Sequence, residues 1–410
     1  MKILQLCKKF PYPLKDGESI AVTYLSKALH ELGHEVTLLS MNTTKHRADV
    51  DQLPPDYNHY KNIYCTDLDN TLNIKDAFLN LFSSESYHVS RFICKKFEAK
   101  LVELLSTQSF DVIQLETLYL APYIPVIKQH SDALVSMRAH NVEYEIWERI
   151  TSNTTFWPKR WYLRHLTQKL RRYELDHLND YDYLVAVSER DLRKFKQLGY
   201  KNGAMASPIG LDVDKYITIP PKKVEAKKIG FIGALDWMPN IEGLNWFIEH
   251  VWPALHRENP SLEFHVAGRN TPPEIQAIDL PNVFIHGEVP DAIQFMNDNA
   301  IMVVPLFSGS GMRVKILEGM ALGKTIVTTT LGKEGIEVEQ GSELIVADNA
   351  KAFIHQILAL VADESRLSRI GSKAKAFIKE KYDHKSIAIQ LVNKYQSLLD
   401  NPYPKEKVLA

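Results

Sequence analysis

The chain has 410 residues, 45% apolar and 24% charged, which excludes a mainly disordered or fibrous protein and, at roughly 100–200 residues per domain, predicts two domains. Lys and Arg number 49 against 50 Asp and Glu, so the net charge of -1 supplies no global field toward nucleic acid. Cys7, Cys65 and Cys94 are scattered, with no CxxC pair, and suggest neither a disulfide framework nor a structural zinc site.

In chain order, MKILQLCKKFPYPL has no secretory apolar core and no run approaches about 18 apolar residues, so a cytoplasmic location is expected. The glycosylation matches at Asn42 and Asn153 are then chance. The apolar run 2–6 (KILQL), the amphipathic stretch 19–32, Gly33 and the run 35–40 (EVTLLS) predict a β-α-β unit. HELGH at 30–34 fits a zinc-helix pattern, but Gly33 reads as a helix C-cap that throws His34 off the helix. Residues 45–100 carry no legible pattern. DVIQL (111–115), ALVSM (133–137) and YLVAVS (183–188) predict further parallel strands alternating with helices.

Residues 156–173 hold six Lys or Arg, five aromatics and no acid. Two readings stand: a peripheral contact with an anionic membrane, or a solvated basic helix face packing against Glu174 and Asp176. The stretch 208–228, with three prolines and five lysines, reads as a surface connection. A second alternation follows at 228–233, 262–268, 283–286, 300–305 and 325–329, then helices to about 400. The expected division is an N-terminal Rossmann-like domain over 1–207, a linker over 208–227, a C-terminal Rossmann-like domain over 228–385 and a terminal helix and tail over 386–410 that packs back on the first domain. Ligands should gather at the carboxyl ends of the strands.

GMALGKT at 319–325 is one residue short of a P-loop and runs helix to strand, so Gly323 is read as a C-cap. Asp212 and Asp214 lie in the connection and suggest turn or capping roles, and no metal is assigned. The most informative segment follows AIMVVP: Phe307, Ser308, Gly309, Ser310 and Gly311, then a helical segment Met312–Leu322. A small-residue loop entering a helix N-terminus suits an anion. On that mostly apolar helix Lys315 and Glu318 share one stripe, either as an i,i+3 ion pair or as parts of a sugar-nucleotide site, with Arg313 and Lys315 on a diphosphate and Glu318 on ribose hydroxyls.

The segments MVVPLFSGSGMRVKILEGMALGKTIVTT, GFIGALDWMPNIEGLNWF and LGKEGIE resemble the C-terminal domain of retaining GT-B glycosyltransferases of the nucleotide-sugar family called family 4 or group 1. FPYPLKDGESIAVTYLSKALHELGHEVTLLS, VAVSERDLRKF and SPIGLDVDKY are similar to the N-terminal half, so the resemblance covers nearly the whole chain. It implies an α/β GT-B fold, two doubly wound Rossmann-like domains facing a central cleft. It implies a UDP- or GDP-sugar donor, a glycan or lipid-linked acceptor and no metal. Attack would come from the front face, with the departing phosphate taking the proton. In the family's Glu-x7-Glu pattern Glu318 holds the second place, but Ser310 stands where the first glutamate belongs. The family's Arg or Lys after the first strand of this domain is replaced by Ala234, Leu235, Asp236 and Trp237, which leaves phosphate charge to Arg313 and Lys315.

His140, after ALVSM, matches the family's active-site histidine, with a merely loop-bonded histidine as the other reading. Glu116, after DVIQL, stands where some relatives carry a histidine and would serve the acceptor side. Gly17 resembles the glycine loop near the donor phosphates, or is a plain turn glycine. A two-carboxylate glycosidase finds no matching pair. A synthase acting on a small soluble acceptor and a catalytically silent GT-B binding protein are the alternative functions.

Overall fold

The computed structural model describes residues 1–401 except 15, 56, 72–79, 81, 82, 84, 220–224 and 310. It divides into two compact units, one formed by Met1–Gly210 with the chain from His384, the other by Leu211–Asp383. Both are parallel α/β sheets, as the GT-B resemblance implies.

The first sheet comprises β1 (Lys2–Cys7), β2 (Glu35–Thr43), β3 (Asn62–Leu68), β4 (Val112–Leu115), β5 (Leu134–Ala139), β6 (Tyr183–Ala186) and β7 (Gly203–Ala206), in the order β3-β2-β1-β4-β5-β6-β7. Its inner strands, such as VIQL in β4 and YLVA in β6, are buried at every position because helices cover both faces. One covering layer is built by helices Gly17–Glu31 and His384–Asp400, where Val22, Leu25, Ala388, Leu391 and Tyr395 enter the core. β3 and β7 were not expected. They are half-buried edge strands, and neither NIYCTDL nor GAMA presents an apolar run.

The second sheet comprises β8 (Lys228–Ile232), β9 (Glu263–Ala267), β10 (Val283–Gly287), β11 (Ile301–Val304), β12 (Thr325–Thr328) and β13 (Ile345–Val346), in the order β10-β9-β8-β11-β12-β13. The surface connection expected over 208–227 is corrected in its first half. Leu211, Val213 and Tyr216 are buried, Val213–Ile217 is helical, and Leu211 bridges to Asp383 within the second unit. The prolines and lysines of that stretch masked its apolar spacing.

Both misleading motifs resolve as C-caps. The first helix ends at Glu31, Gly33 takes φ 82°, and His34 N–H donates to the Leu29 carbonyl, so His34 leaves the helix and contacts the N-terminal ammonium at 3.0 Å. In GMALGKT the helix Val314–Ala321 ends before Gly323, at φ 73°, and β12 follows.

Candidate functional site

In the second unit β8 and β11 are neighbours although other strands intervene in sequence, which makes their boundary the topological switch point where such sheets bind ligands. They pair only through Ile229–Ile301 and Gly230–Met302, so their carboxyl ends separate into a crevice. Lys315, one residue into the helix Val314–Ala321, reaches into it. Its Nζ donates to the Ile232 carbonyl at 3.1 Å and to Asn240 Oδ1 at 2.9 Å, and lies 5.1 Å from the Phe231 ring centroid. Asn240 is held in turn by donating its Nδ2–H to the Ala234 carbonyl at 2.8 Å. Every one of these partners is uncharged. Burial, with the Arg313 charge added, pushes the Lys315 ammonium down to about 7.

Glu318 accepts the Tyr216 hydroxyl at 2.8 Å. Burial raises its carboxyl above the ordinary range despite that bond and the nearby Lys215. A Lys315–Glu318 ion pair would raise the lysine and lower the glutamate. The reverse holds, so the i,i+3 pairing is not the reason these charges share a stripe. Both remain partly open to solvent.

The loop after β11 differs from expectation in two respects. The helix begins at Val314 rather than Met312, with Arg313 as its N-cap residue in extended conformation and its guanidinium folded onto the Gly311 carbonyl. Ser308 is buried and donates its hydroxyl to Glu242 at 2.6 Å, which anchors the loop on the helix Met238–His250. Gly309 and Gly311 take φ 90° and 82°, conformations closed to most side chains, and these turn the backbone toward Arg313. Ser310 lies outside the described residues.

The Met238–His250 helix carries both Asn240 and Glu242, and its seat depends on Gly243: a Cβ there would lie 1.8 Å from the Pro305 carbonyl oxygen. Gly243→Ala is therefore expected to destabilise this unit by about 1–3 kcal/mol, read by thermal denaturation.

In the first unit the switch point lies between β1 and β4. His140, directly after β5, is 8% exposed, and its Nε2 is 3.1 Å from Glu116 Oε2. Glu116 is 0% exposed. It accepts from Gln5 at 2.6 Å, Gln114 at 2.5 Å and Arg138 at 3.2 Å as well. An acceptor-binding role for Glu116 is thus corrected: a carboxylate with no surface and four partners positions His140 instead. Burial pushes that carboxyl up, but the Arg138 charge and the His140 contact outweigh it and hold it down to about 2. The network extends outward through Tyr60 OH to Gln5 Oε1 at 3.0 Å and Tyr395 OH to Gln114 Oε1 at 3.0 Å.

Gly17 opens the first helix, capped by Asp16, which binds Ser19 N–H and Lys9. It has no positive φ among the backbone values and sits between two carboxylates, Asp16 and Glu18, that are satisfied by Lys8 and Lys9.

Sequence reasoning missed Asn240, Tyr216 and the glutamine pair. Gln5 and Gln114 face each other across β1 and β4, and the signal was there: one glutamine at the same depth in KILQL and DVIQL, two otherwise apolar strands.

Two Rossmann-like units, the second with Lys315 at its switch point, make the GT-B fold. Residues 226–363 match the family model of glycosyl transferases group 1. The chain is 22% identical over 94% of its length to an uncharacterized 44.6 kDa protein in the cps region of Klebsiella pneumoniae, covering 97% of it. Among solved structures it is similar to sucrose-phosphate synthase from Thermosynechococcus elongatus, with TM-score 0.70, 15% identity and coverage of 98% and 100% of the two chains. It is also similar to Anabaena HepE in complex with UDP, with TM-score 0.66, 16% identity and coverage of 97% and 100%.

Proposed function

We propose that the chain transfers a hexose-type sugar from a UDP- or GDP-sugar to a growing glycan, with retention of configuration, in the synthesis of a cell-surface polysaccharide or lipid-linked oligosaccharide. The observation that carries this reading is Lys315: a cation held at the switch-point crevice by neutral oxygens alone, with its pKa lowered to about 7. An arriving diphosphate offers what the protein withholds, an anion. HepE in complex with UDP and the cps-region relative support the donor class and the setting.

In this reading the bond from the anomeric carbon to the diphosphate oxygen breaks, and negative charge grows on the phosphate. Lys315, Arg313 and the backbone N–H groups of Ser308, Gly309 and Gly311 stabilise that charge, which is where such sites gain most of their rate. The acceptor hydroxyl attacks from the departing side, and its proton passes to the leaving phosphate oxygen. No metal is needed for this neutralisation, and none is proposed. His140, oriented by Glu116, is assigned to the first unit's side of the reaction.

The test is incubation with a panel of nucleotide sugars. Slow release of UDP or GDP from one of them is expected, and the anomeric configuration of the product, read by NMR, checks retention. Absence of both release and a thermal shift with either nucleotide overturns the reading in favour of a silent binding protein. Activity restored only by lipid extract, or on a small soluble acceptor, separates the two enzyme readings. Glu318→Ala is expected to weaken binding of the matching nucleoside diphosphate by about 10–100-fold, the loss of charge-assisted hydrogen bonds to ribose, measured by calorimetry.

A further inference from the structure

The helix Trp157–Asp176 of the first unit carries a surface that sugar transfer does not use. Leu163, Leu166, Thr167 and Leu170 face the core. On the opposite side Trp157, Trp161, Arg164, Gln168 and Arg172 follow at helical spacing and are exposed. The N-terminal end of this face is apolar: Phe156, Trp157 and Trp161 are 65%, 77% and 63% exposed. Three adjacent large aromatics in water are unusual for a surface without a partner.

Cations lie among and beyond them. Lys159, Arg160, Arg164 and Arg172 are exposed, and no carboxylate pairs with them among the described residues. Of the two acids that the sequence offered as their neutralisers, Asp176 is exposed at the end of the helix and Glu174 turns inward instead. It is 2% exposed and accepts the N–H groups of Glu143 and Tyr144, both at 3.0 Å, capping the start of the helix Glu143–Asn153. Burial raises its carboxyl to about 8 in spite of the Tyr144 bond. The reading of a basic face balanced by its own acids is left with Asp176 alone.

We propose that this face docks the first unit on the surface of an anionic phospholipid bilayer. The geometry fits a helix lying in the plane of the interface. Indole rings, apolar with one N–H donor, settle at the boundary between headgroup and acyl chain, while guanidinium groups bind lipid phosphates in bidentate fashion. From Trp157 to Arg172 the helix runs about 22 Å, long enough to cover several headgroups. The partner is chosen by charge complementarity: the uncompensated positive charge of the stripe against the negative surface of the leaflet, with the aromatics supplying the apolar part of the contact. This inference stands on the first unit alone and does not depend on the donor site.

The test is cosedimentation of the full chain with vesicles of equal parts phosphatidylglycerol and phosphatidylcholine, beside vesicles of phosphatidylcholine alone. Binding to the anionic vesicles, weakened by salt and accompanied by a blue shift of tryptophan fluorescence, is expected. The exposed double variant Arg160→Glu/Arg164→Glu should lower the partition coefficient at least about tenfold, and Trp157→Ser/Trp161→Ser should abolish the blue shift. Release of nucleotide from soluble donor should be unchanged in both, which separates failure of this proposal from failure of the transferase reading. The proposal is overturned by equal sedimentation of wild type and variants, or by no binding to anionic vesicles. It is equally overturned if the tryptophan variant instead dissolves a dimer seen by light scattering, or if the stripe binds duplex DNA and not vesicles.

Discussion

Lys315→Ala is expected to slow sugar transfer by about 10²–10³-fold, the loss typical when one preorganised charge-stabilising donor is removed. The reason lies in where the ammonium sits. It is fixed by the Ile232 carbonyl and Asn240, so it costs no reorganisation when charge develops, and burial strengthens its field. The same residue predicts a pH dependence of binding. Unliganded, Lys315 titrates at about 7. A bound diphosphate favours the charged form and raises that value. Nucleotide affinity should therefore be full below about 7 and decline as pH rises above it, with a proton taken up on binding. Calorimetry at several pH values in buffers of different ionisation enthalpy reads this directly. The decline above 7 should vanish in Lys315→Ala. A slope that persists in the variant would assign the proton to another group and move the diphosphate away from the β8–β11 crevice.

Much of the architecture was legible because buried parallel strands in a doubly wound sheet are apolar on both faces and stand out as continuous runs. KILQL, DVIQL, AIMVVP and TIVTT could hardly be anything else. The edge strands were not legible: β3 is only half-buried, and β7 is made of Gly, Ala and Met, so neither carries the signal on which periodicity depends. The site divided in the same way. Lys315 and Glu318 could be singled out because charge on an apolar helix demands a reason. Their partners Asn240 and Tyr216 could not, because each comes from a distant segment and only the fold brings it near. The start of the helix was misplaced by two residues because Gly311 and Met312 continue the apolar pattern while Gly311 holds a positive φ. Glu116 was misassigned for a related cause. A carboxylate at a strand end looks available until the glutamines of two neighbouring strands and an arginine from a third close around it.

That closure gives Glu116→Ala the largest expected effect on stability, about 3–5 kcal/mol lost from the first unit, the range for breaking a buried ion pair from one side. Arg138, 1% exposed, would keep a charge with no anion beside it, and the amide groups of Gln5 and Gln114 would each lose an acceptor. Glu116→Gln should cost less, since it keeps the volume and one oxygen but presents its own amide donors to Gln5 or Gln114. The sign of the pH effect follows from the carboxyl being held at about 2 in the folded chain, below the ordinary value of 4.5 it regains on unfolding. Its contribution is fully present above about 5 and is lost as pH falls toward 2. Urea midpoints of the wild type should therefore drop across that window, and the drop should be shallower in Glu116→Gln. Diphosphate affinity, set in the second unit, should stay constant in Glu116→Gln while transfer slows. That combination separates a residue that positions His140 from one that merely holds the sheet together: a purely structural glutamate would leave transfer unchanged once the folded fraction is matched.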